Sequence, residues 1–74
     1  MKFITYTDVY DIEHYFDPTK ASFTLSQPLG TLDEVGKPSD GFGTKVCLGE
    51  HTWIIAKEEP ASIVRRILEA LEDT

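Results

Sequence analysis

Residues 44–71, TKVCLGEHTWIIAKEEPASIVRRILEAL, hold most of the large aliphatic side chains of the chain. A helix is predicted over residues 60–72, because apolar residues recur there at the spacing of one helical face. Pro60 suits the first helical position, where the missing N–H has no cost. The residues of the apolar face are Ile63, Val64, Ile67, Leu68 and Leu71. This face requires a packing partner elsewhere in the chain.

The two runs that precede the helix are predicted to form a β-hairpin. They span residues 44–48 and 51–56, are rich in β-branched types, and are separated by Gly49-Glu50. Glycine at the first central position suits a two-residue type II′ turn. In that register Val46 opposes Trp53. The residues predicted to face the helix from this hairpin are Val46, Leu48, Trp53 and Ile55.

Three further strands are predicted in the first third of the chain from runs of aromatic and β-branched residues. They are residues 2–9, 12–16 and 21–25. A polar turn at residues 8–11 joins the first two as a hairpin, and Asp17-Pro18 ends the second. Alternation in the first strand is imperfect, so its inward face stays open. The predicted fold class is α+β, with a small antiparallel sheet of four to five strands packed by one C-terminal helix. Residues 1–74 are predicted to form a single domain.

Residues 26–43 interrupt the pattern of strands. They include Pro28, Pro38 and four glycines, and a loop of this length in a small domain is usually functional or disordered. We predict a long, flexible loop. Within it, residues 32–35 fit either a single helical turn or a peptide-like recognition segment, and disorder or mere spacing is the favoured alternative.

The composition indicates which partners are excluded. Thirteen acidic against seven basic residues give a formal charge of −6, which opposes direct binding to nucleic acid. The same charge favours either a basic protein surface as partner or solubility alone. The chain has a single cysteine, which fits a reducing compartment, and lacks the apolar run of about 18 residues that a membrane span requires. We expect a cytoplasmic protein without membrane contact.

No residue pattern predicts enzyme activity, a metal site or a cofactor. The soft and imidazole-type metal ligands are Cys47, His14 and His51, and no second cysteine completes a zinc motif. The carboxylates at Asp8, Asp11 and Glu13 lack the spacing of a calcium loop. The glycines form no phosphate-binding motif. We therefore expect a protein that binds other proteins without catalysis.

Aromatic residues make up 11% of the chain, more than a core of this size easily hides. Tyrosine, tryptophan and phenylalanine are enriched at protein interfaces, so part of this set is expected on an interaction surface. Acidic residues beside the tyrosines would attract a basic partner. The predicted protein-binding residues are Tyr6, Asp8, Tyr10, Asp11, Glu13, Asp33 and Glu34.

The order of elements resembles the FlbD-like type of small bacterial and phage proteins. Those proteins have Asn-Pro after the second strand, a Gly-Thr-x-Val-x-Leu strand, a hairpin, and a helix introduced by Glu-Ser. Here the corresponding features are Asp17-Pro18, residues 43–48 (GTKVCL), and Pro60 in place of the serine. The loop at residues 26–43 is longer than the pattern expects. The resemblance implies an antiparallel sheet packed by a C-terminal helix and no enzyme activity.

The small size and acidity also resemble those of phage-encoded regulators that bind host RNA polymerase and alter initiation or termination. This resemblance implies a monomer in the host cytoplasm whose partner is a polymerase subunit, and no contact residue is carried over from it. The FlbD-like resemblance implies instead a structural or assembly factor without a role in transcription. Such a factor would self-associate or hold one structural partner.

Overall fold

A computed structural model describes residues 3–72, so Lys2, the predicted start of the first strand, lies outside it. The elements in chain order are β1 (Ile4–Thr7), β2 (Glu13–Phe16), a 3₁₀ turn (Pro18–Lys20), β3 (Phe23–Pro28), β4 (Phe42–Cys47), β5 (Trp53–Ala56) and α1 (Pro60–Glu72). Strands β1 and β2 form one antiparallel sheet, and β3, β4 and β5 form a second in that order. The described residues therefore form the predicted α+β fold of five strands and one C-terminal helix.

The helix α1 covers the core that both sheets share. It buries Ile63, Ile67 and Ala70, three residues of one stripe, and packs against β1, β3 and β4. The other buried members of this core are Ile4, Phe16, Val46 and Ala56. Within residues 3–72, no helix combines the length and the apolar character that crossing a membrane demands.

The register predicted for the β4–β5 hairpin is wrong by one residue. Val46 opposes Ile54 and not Trp53. The N–H of Leu48 donates to the carbonyl of Thr52 at 2.8 Å, so the last hydrogen-bonded pair encloses a loop of three residues, 49–51, instead of two. Gly49 does not adopt the positive φ that a type II′ turn requires at its first central position.

This shift reverses the inward and outward faces of β5, because successive side chains of a strand point to opposite sides. Ile54 packs against the core, and Ala56 is fully buried in it. Trp53, predicted beneath the helix, lies on the opposite side of the sheet with 53% of its surface exposed. The prediction for β4 holds, since Val46 is buried and Leu48 packs beside it.

The predicted loop at residues 26–43 is largely an extension of the β3–β4 hairpin. Its ends lie in the strands, since β3 continues to Pro28 and β4 begins at Phe42. Beyond them the N–H of Leu29 donates to the carbonyl of Gly41 at 2.9 Å, and Leu32 and Pro38 form an isolated antiparallel bridge. The side chain of Leu29 is buried. The segment therefore has hydrogen-bonded cross-strand order.

A β-turn, and not a helical turn, occupies the tip of this hairpin. The N–H of Gly36 donates to the carbonyl of Asp33 at 3.0 Å, and Gly36 has a φ of 82°. The Asp33 carboxylate accepts from the N–H groups of Val35 at 3.0 Å and Lys37 at 2.8 Å. This arrangement is the three-residue hairpin loop in which a left-handed residue follows a type I turn.

Polar contacts connect the two sheets through the start of α1. The guanidinium of Arg66 donates to the carboxylate of Glu58 and, at 2.6 Å, to the carbonyl of Thr5 on β1. The hydroxyl of Thr44 donates to the carbonyl of Glu58 at 2.8 Å. The N–H of Lys57 donates to the carbonyl of Thr7 at 2.9 Å. These contacts hold β1 beside the end of β5.

Candidate protein-binding surface

The first hairpin turns in the same way as the tip of the second. The N–H of Asp8 donates to the carbonyl of Ile12 at 3.0 Å, and Asp11 occupies the left-handed position with a φ of 62°. One oxygen of the Asp8 carboxylate accepts from the N–H groups of Tyr10 at 2.8 Å and Ile12 at 3.0 Å. Asp8 thus has the same role here as Asp33 has in the other turn. Both predicted binding residues are hydrogen-bonded within their own turns.

Tyr6 and Asp8 also pack within the first hairpin. The second Asp8 oxygen lies 2.6 Å from Nε2 of His14. The Tyr6 ring stacks on His14 with centroids 5.2 Å apart and meets Phe16 edge-on at 5.8 Å. Burial, with a smaller contribution from the Asp8 charge, raises the pKa of Tyr6. The structure places these two residues where they stabilise the hairpin.

The other predicted residues of the first hairpin lie on its surface. Tyr10 is 80% exposed, and Glu13 is exposed on β2. The Asp11 carboxylate pairs with Nζ of Lys57 at 2.6 Å and raises the pKa of Lys57, to which Asp40 contributes less. The tip of the first hairpin is therefore bound to the residue that directly follows β5.

Asp33 and Glu34, the remaining predicted residues, lie at the tip of the second hairpin, where Glu34 is exposed. The structure thus brings five predicted residues together in one hairpin and places two in another.

The side of the three-stranded sheet that faces away from α1 carries an exposed apolar surface. Strand alternation places on it every second residue of β3, β4 and β5. We call this side the outer face, and it consists of Phe23, Leu25, Gln27, Gly43, Lys45, Cys47, Trp53 and Ile55. Phe23 is 56% exposed and Leu25 50%. Large apolar side chains therefore meet solvent on β3, as Trp53 does on β5.

The outer face is organised in cross-strand rows. Cys47 opposes both Phe23 and Trp53, so the two aromatic side chains flank a buried thiol. Nζ of Lys45 lies 4.5 Å from the centroid of the Trp53 ring, within the range of a cation–π contact. These residues and the neighbouring Glu50 line an open recess of about 550 Å³. The surface suits the insertion of apolar side chains from a partner.

The sequence predictions missed the outer face because Trp53 was assigned to the core. Phe23 and Leu25 are two residues apart, so the sequence places both side chains on the same side of β3. The phase of β5 depends on the length of its turn, and the assumed turn placed Trp53 under the helix. The sequence did contain a signal for the observed register. Ile54 and Ala56 have side chains that can pack closely in the core under α1, so a register that turns both inward was available.

Within residues 3–72, no group of three or more histidine, cysteine or acidic side chains is placed to hold a metal ion. The carboxylate–imidazole pair of Asp8 and His14 forms part of the turn described above. The chemistry that the surface offers is apolar contact together with negative charge.

Comparisons of the chain with protein-family models, curated proteins and solved structures returned no match.

The Asp8 turn predicts a specific loss of stability in acid. Hydrogen bonds from the Ile12 N–H, then from His14 and the Tyr10 N–H, hold the pKa of Asp8 below its ordinary 3.8, although burial opposes them. Because the folded pKa lies below the unfolded one, this stabilisation is complete above pH 3.8 and is lost as the pH falls through the folded pKa. We expect Asp8→Asn, which keeps an acceptor oxygen but does not titrate, to flatten the acid dependence of the melting temperature.

The measurement is a series of thermal melts between about pH 5 and about pH 2 for both proteins. The parent should lose more melting temperature than the variant below pH 3.8. Parallel curves would show that the Asp8 carboxylate does not contribute.

Proposed function

We propose that this protein is a small, acidic, non-catalytic protein-binding module that docks through its outer face. The supporting observation is that Phe23 and Trp53 are more than half exposed, on either side of one buried residue. Contiguous exposed apolar surface marks interaction sites on small proteins. Aromatic anchors supply much of the binding energy at interfaces.

In its most specific form, the proposal makes this protein a phage-type regulator that docks on host bacterial RNA polymerase. Its support is the resemblance in size and acidity to phage-encoded regulators, together with a charge of −6 that complements a basic surface. The protein would act as a monomer in the host cytoplasm. By covering a basic patch that another factor needs, it would alter initiation or termination through steric and electrostatic competition.

The acidic residues of the hairpins have a separate role in this proposal. Glu13 and Glu34 are exposed, Glu13 on β2 and Glu34 at the tip of the second hairpin, and neither belongs to the outer face. Charges that lie outside the apolar contact act mainly on the association rate and its dependence on salt. The outer face would then determine the lifetime of the complex, and the carboxylates would speed its formation.

A second candidate is a FlbD-like structural or assembly factor without a role in transcription. The observation that favours it is β3, an edge strand whose sequence, FTLSQP, has no charged residue to discourage pairing with another chain. This candidate predicts self-association with little dependence on salt. Sedimentation at several salt concentrations separates it from the regulator, which is expected to be monomeric throughout.

Trp53→Ser is expected to weaken binding to purified bacterial RNA polymerase core enzyme by about tenfold or more, because truncation of a central aromatic anchor costs about 2 kcal/mol. The folded state should persist, since the side chain lies outside the core. The matched control is Tyr15→Ser, which removes an exposed aromatic residue from β2. Immobilised core enzyme and surface plasmon resonance would give both affinities.

Equal weakening by the two substitutions would contradict docking through the outer face. A pull-down from bacterial lysate, at low and at physiological salt, tests the polymerase assignment itself. If polymerase subunits are enriched at neither salt concentration, the regulator proposal fails.

A further inference from the structure

Strand β3 presents hydrogen-bonding groups that the sheet leaves unused. The N–H of Leu29 donates to the carbonyl of Gly41 at 2.9 Å, in the same register as the rest of β3 and β4. Bonded and non-bonded positions alternate along an antiparallel strand. The N–H and C=O groups of Thr24 and Ser26 therefore point away from β4. Pro28, the next position in this phase, has no N–H to leave unpaired.

This free edge lacks the features that usually prevent strand addition. Natural edge strands are protected by charged residues, by bulges or by a covering element. Between Phe23 and Pro28 the side chains are uncharged, and four of the six residues are exposed. Proline protects only the end of the strand, beyond Thr24 and Ser26. The edge is open to a further strand along that part.

Apolar recesses lie on both sides of the β3 edge. On the helix side, a groove of about 240 Å³ runs between β3 and α1, with Val64, Leu68 and Leu71 along its helix wall. On the other side lies the recess of the outer face, which Phe23 and Trp53 line. Because side chains of an added strand alternate between the two faces, each recess can receive every second residue.

The end of the groove beside the C-terminus of α1 is electronegative. The last turn of the described helix contains no basic residue, and Glu69 and Glu72 are exposed there. The helix dipole adds partial negative charge at the same place. The groove therefore favours a partner that has a lysine or arginine next to its apolar residues.

We propose that an extended segment of a partner protein adds as a fourth strand to the free edge of β3, with apolar residues alternating into the two recesses and a basic residue beside the end of α1. This inference deepens the protein-binding proposal and rests on it. The segment pairs with the N–H and C=O groups of Thr24 and Ser26, and its inward side chain contacts Leu68. A second copy of the chain is the less suitable occupant, because each copy has a charge of −6 and like charges repel.

The test uses short synthetic peptides, long enough to span β3, in which two consecutive central valines, one for each recess, are flanked by threonines. One set ends in lysine and the other in glutamate. With the full chain labelled with nitrogen-15, we expect the lysine peptides to bind and to slow hydrogen exchange at the Thr24 and Ser26 amides. We expect the glutamate peptides to bind at least about tenfold more weakly.

Ser26→Pro removes one donor from the free edge and leaves the bonds to β4 intact, as Pro28 does in the parent. It is expected to weaken binding of the lysine peptides about tenfold or more, whereas Ser26→Ala, which keeps the N–H, should stay within about twofold. If Ser26→Pro is poorly folded, Leu68→Ser provides the second variant. It lies on the groove wall, is 55% exposed and lies outside the core, and it should weaken binding similarly.

Unchanged exchange at Thr24 and Ser26, or full binding by both Ser26→Pro and Leu68→Ser, would overturn strand addition. Dimerisation of the parent that Ser26→Pro abolishes would overturn it in favour of a second copy. Full binding of RNA polymerase by Ser26→Pro would place the partner elsewhere on the outer face and leave the protein-binding proposal intact. That proposal fails separately, when neither polymerase nor any peptide binds the parent.

Discussion

Gly43→Ala is expected to destabilise the protein by about 3 kcal/mol or more, and in so small a domain it can prevent folding altogether. Gly43 is a buried residue of β4, and a methyl group there would overlap the backbone carbonyl oxygen of Ala56. It would also meet the Leu29 side chain at 3.1 Å. A side chain can rotate away from such a contact, but a carbonyl fixed by the β4–β5 pairing cannot. Relief requires displacement of β5.

The matched control is Gly49→Ala, in the loop between the same two strands. A methyl group at Gly49 would lie 4.0 Å from its nearest neighbour, Cβ of Thr52, which is ordinary contact. Urea denaturation followed by circular dichroism measures both variants. A Gly43→Ala protein within about 0.5 kcal/mol of the parent would refute the close approach of β4 and β5.

The parts of the fold that the sequence predicts are those determined by local periodicity. The apolar stripe through Ile63 and Ile67 identifies α1, and Pro60 marks its first residue. The first hairpin is similarly visible, because polar residues separate its two strands. In these elements the neighbouring residues alone determine the structure, so no distant contact is needed to infer it.

The β4–β5 register could not be obtained in this way, because it depends on loop geometry that one glycine does not determine. Gly49 permits a two-residue turn, but the chain forms a three-residue loop in which Gly49 does not need a positive φ. Close packing of Ala56 against Gly43 provides the non-local reason for the observed register. In this register Ile54, and not Trp53, lies on the inner side of β5. Trp53 therefore becomes part of the outer face, which is the candidate surface.

The extension of the second hairpin could not be predicted from the sequence for a different reason. Its tip, D-E-V-G-K from Asp33 to Lys37, uses the same hydrogen bonds as D-V-Y-D-I from Asp8 to Ile12. The two five-residue segments share only their first aspartate, and glycine and aspartate fill the left-handed position in turn. The two turns have the same backbone geometry, but their sequences share too little for one to be inferred from the other. The acidic residues predicted as a recognition segment therefore include one turn-forming carboxylate, Asp33, and one exposed carboxylate, Glu34.

Ile67→Ala is expected to lower the free energy of unfolding by about 2 to 5 kcal/mol, because Ile67 is 7% exposed in the core between α1 and the sheets. The loss combines the transfer energy of the deleted methylene and methyl groups with the cavity that they leave. Ile63 and Val46 are fully buried and belong to the same core. A packed core of this kind relaxes only partly into such a cavity, which keeps the cost in that range.

Leu68→Ala is the control, because it removes a similar side chain one residue further along the same helix. Leu68 is 55% exposed and lies on the wall of the β3–α1 groove, so its truncation should change stability by no more than about 0.5 kcal/mol. Both values come from urea melts of the purified variants. Equal losses would mean that α1 is rotated from the position described, which would bury the groove wall and close the recess beside β3. A large loss for Ile67 alone keeps Leu68 free to contact a partner.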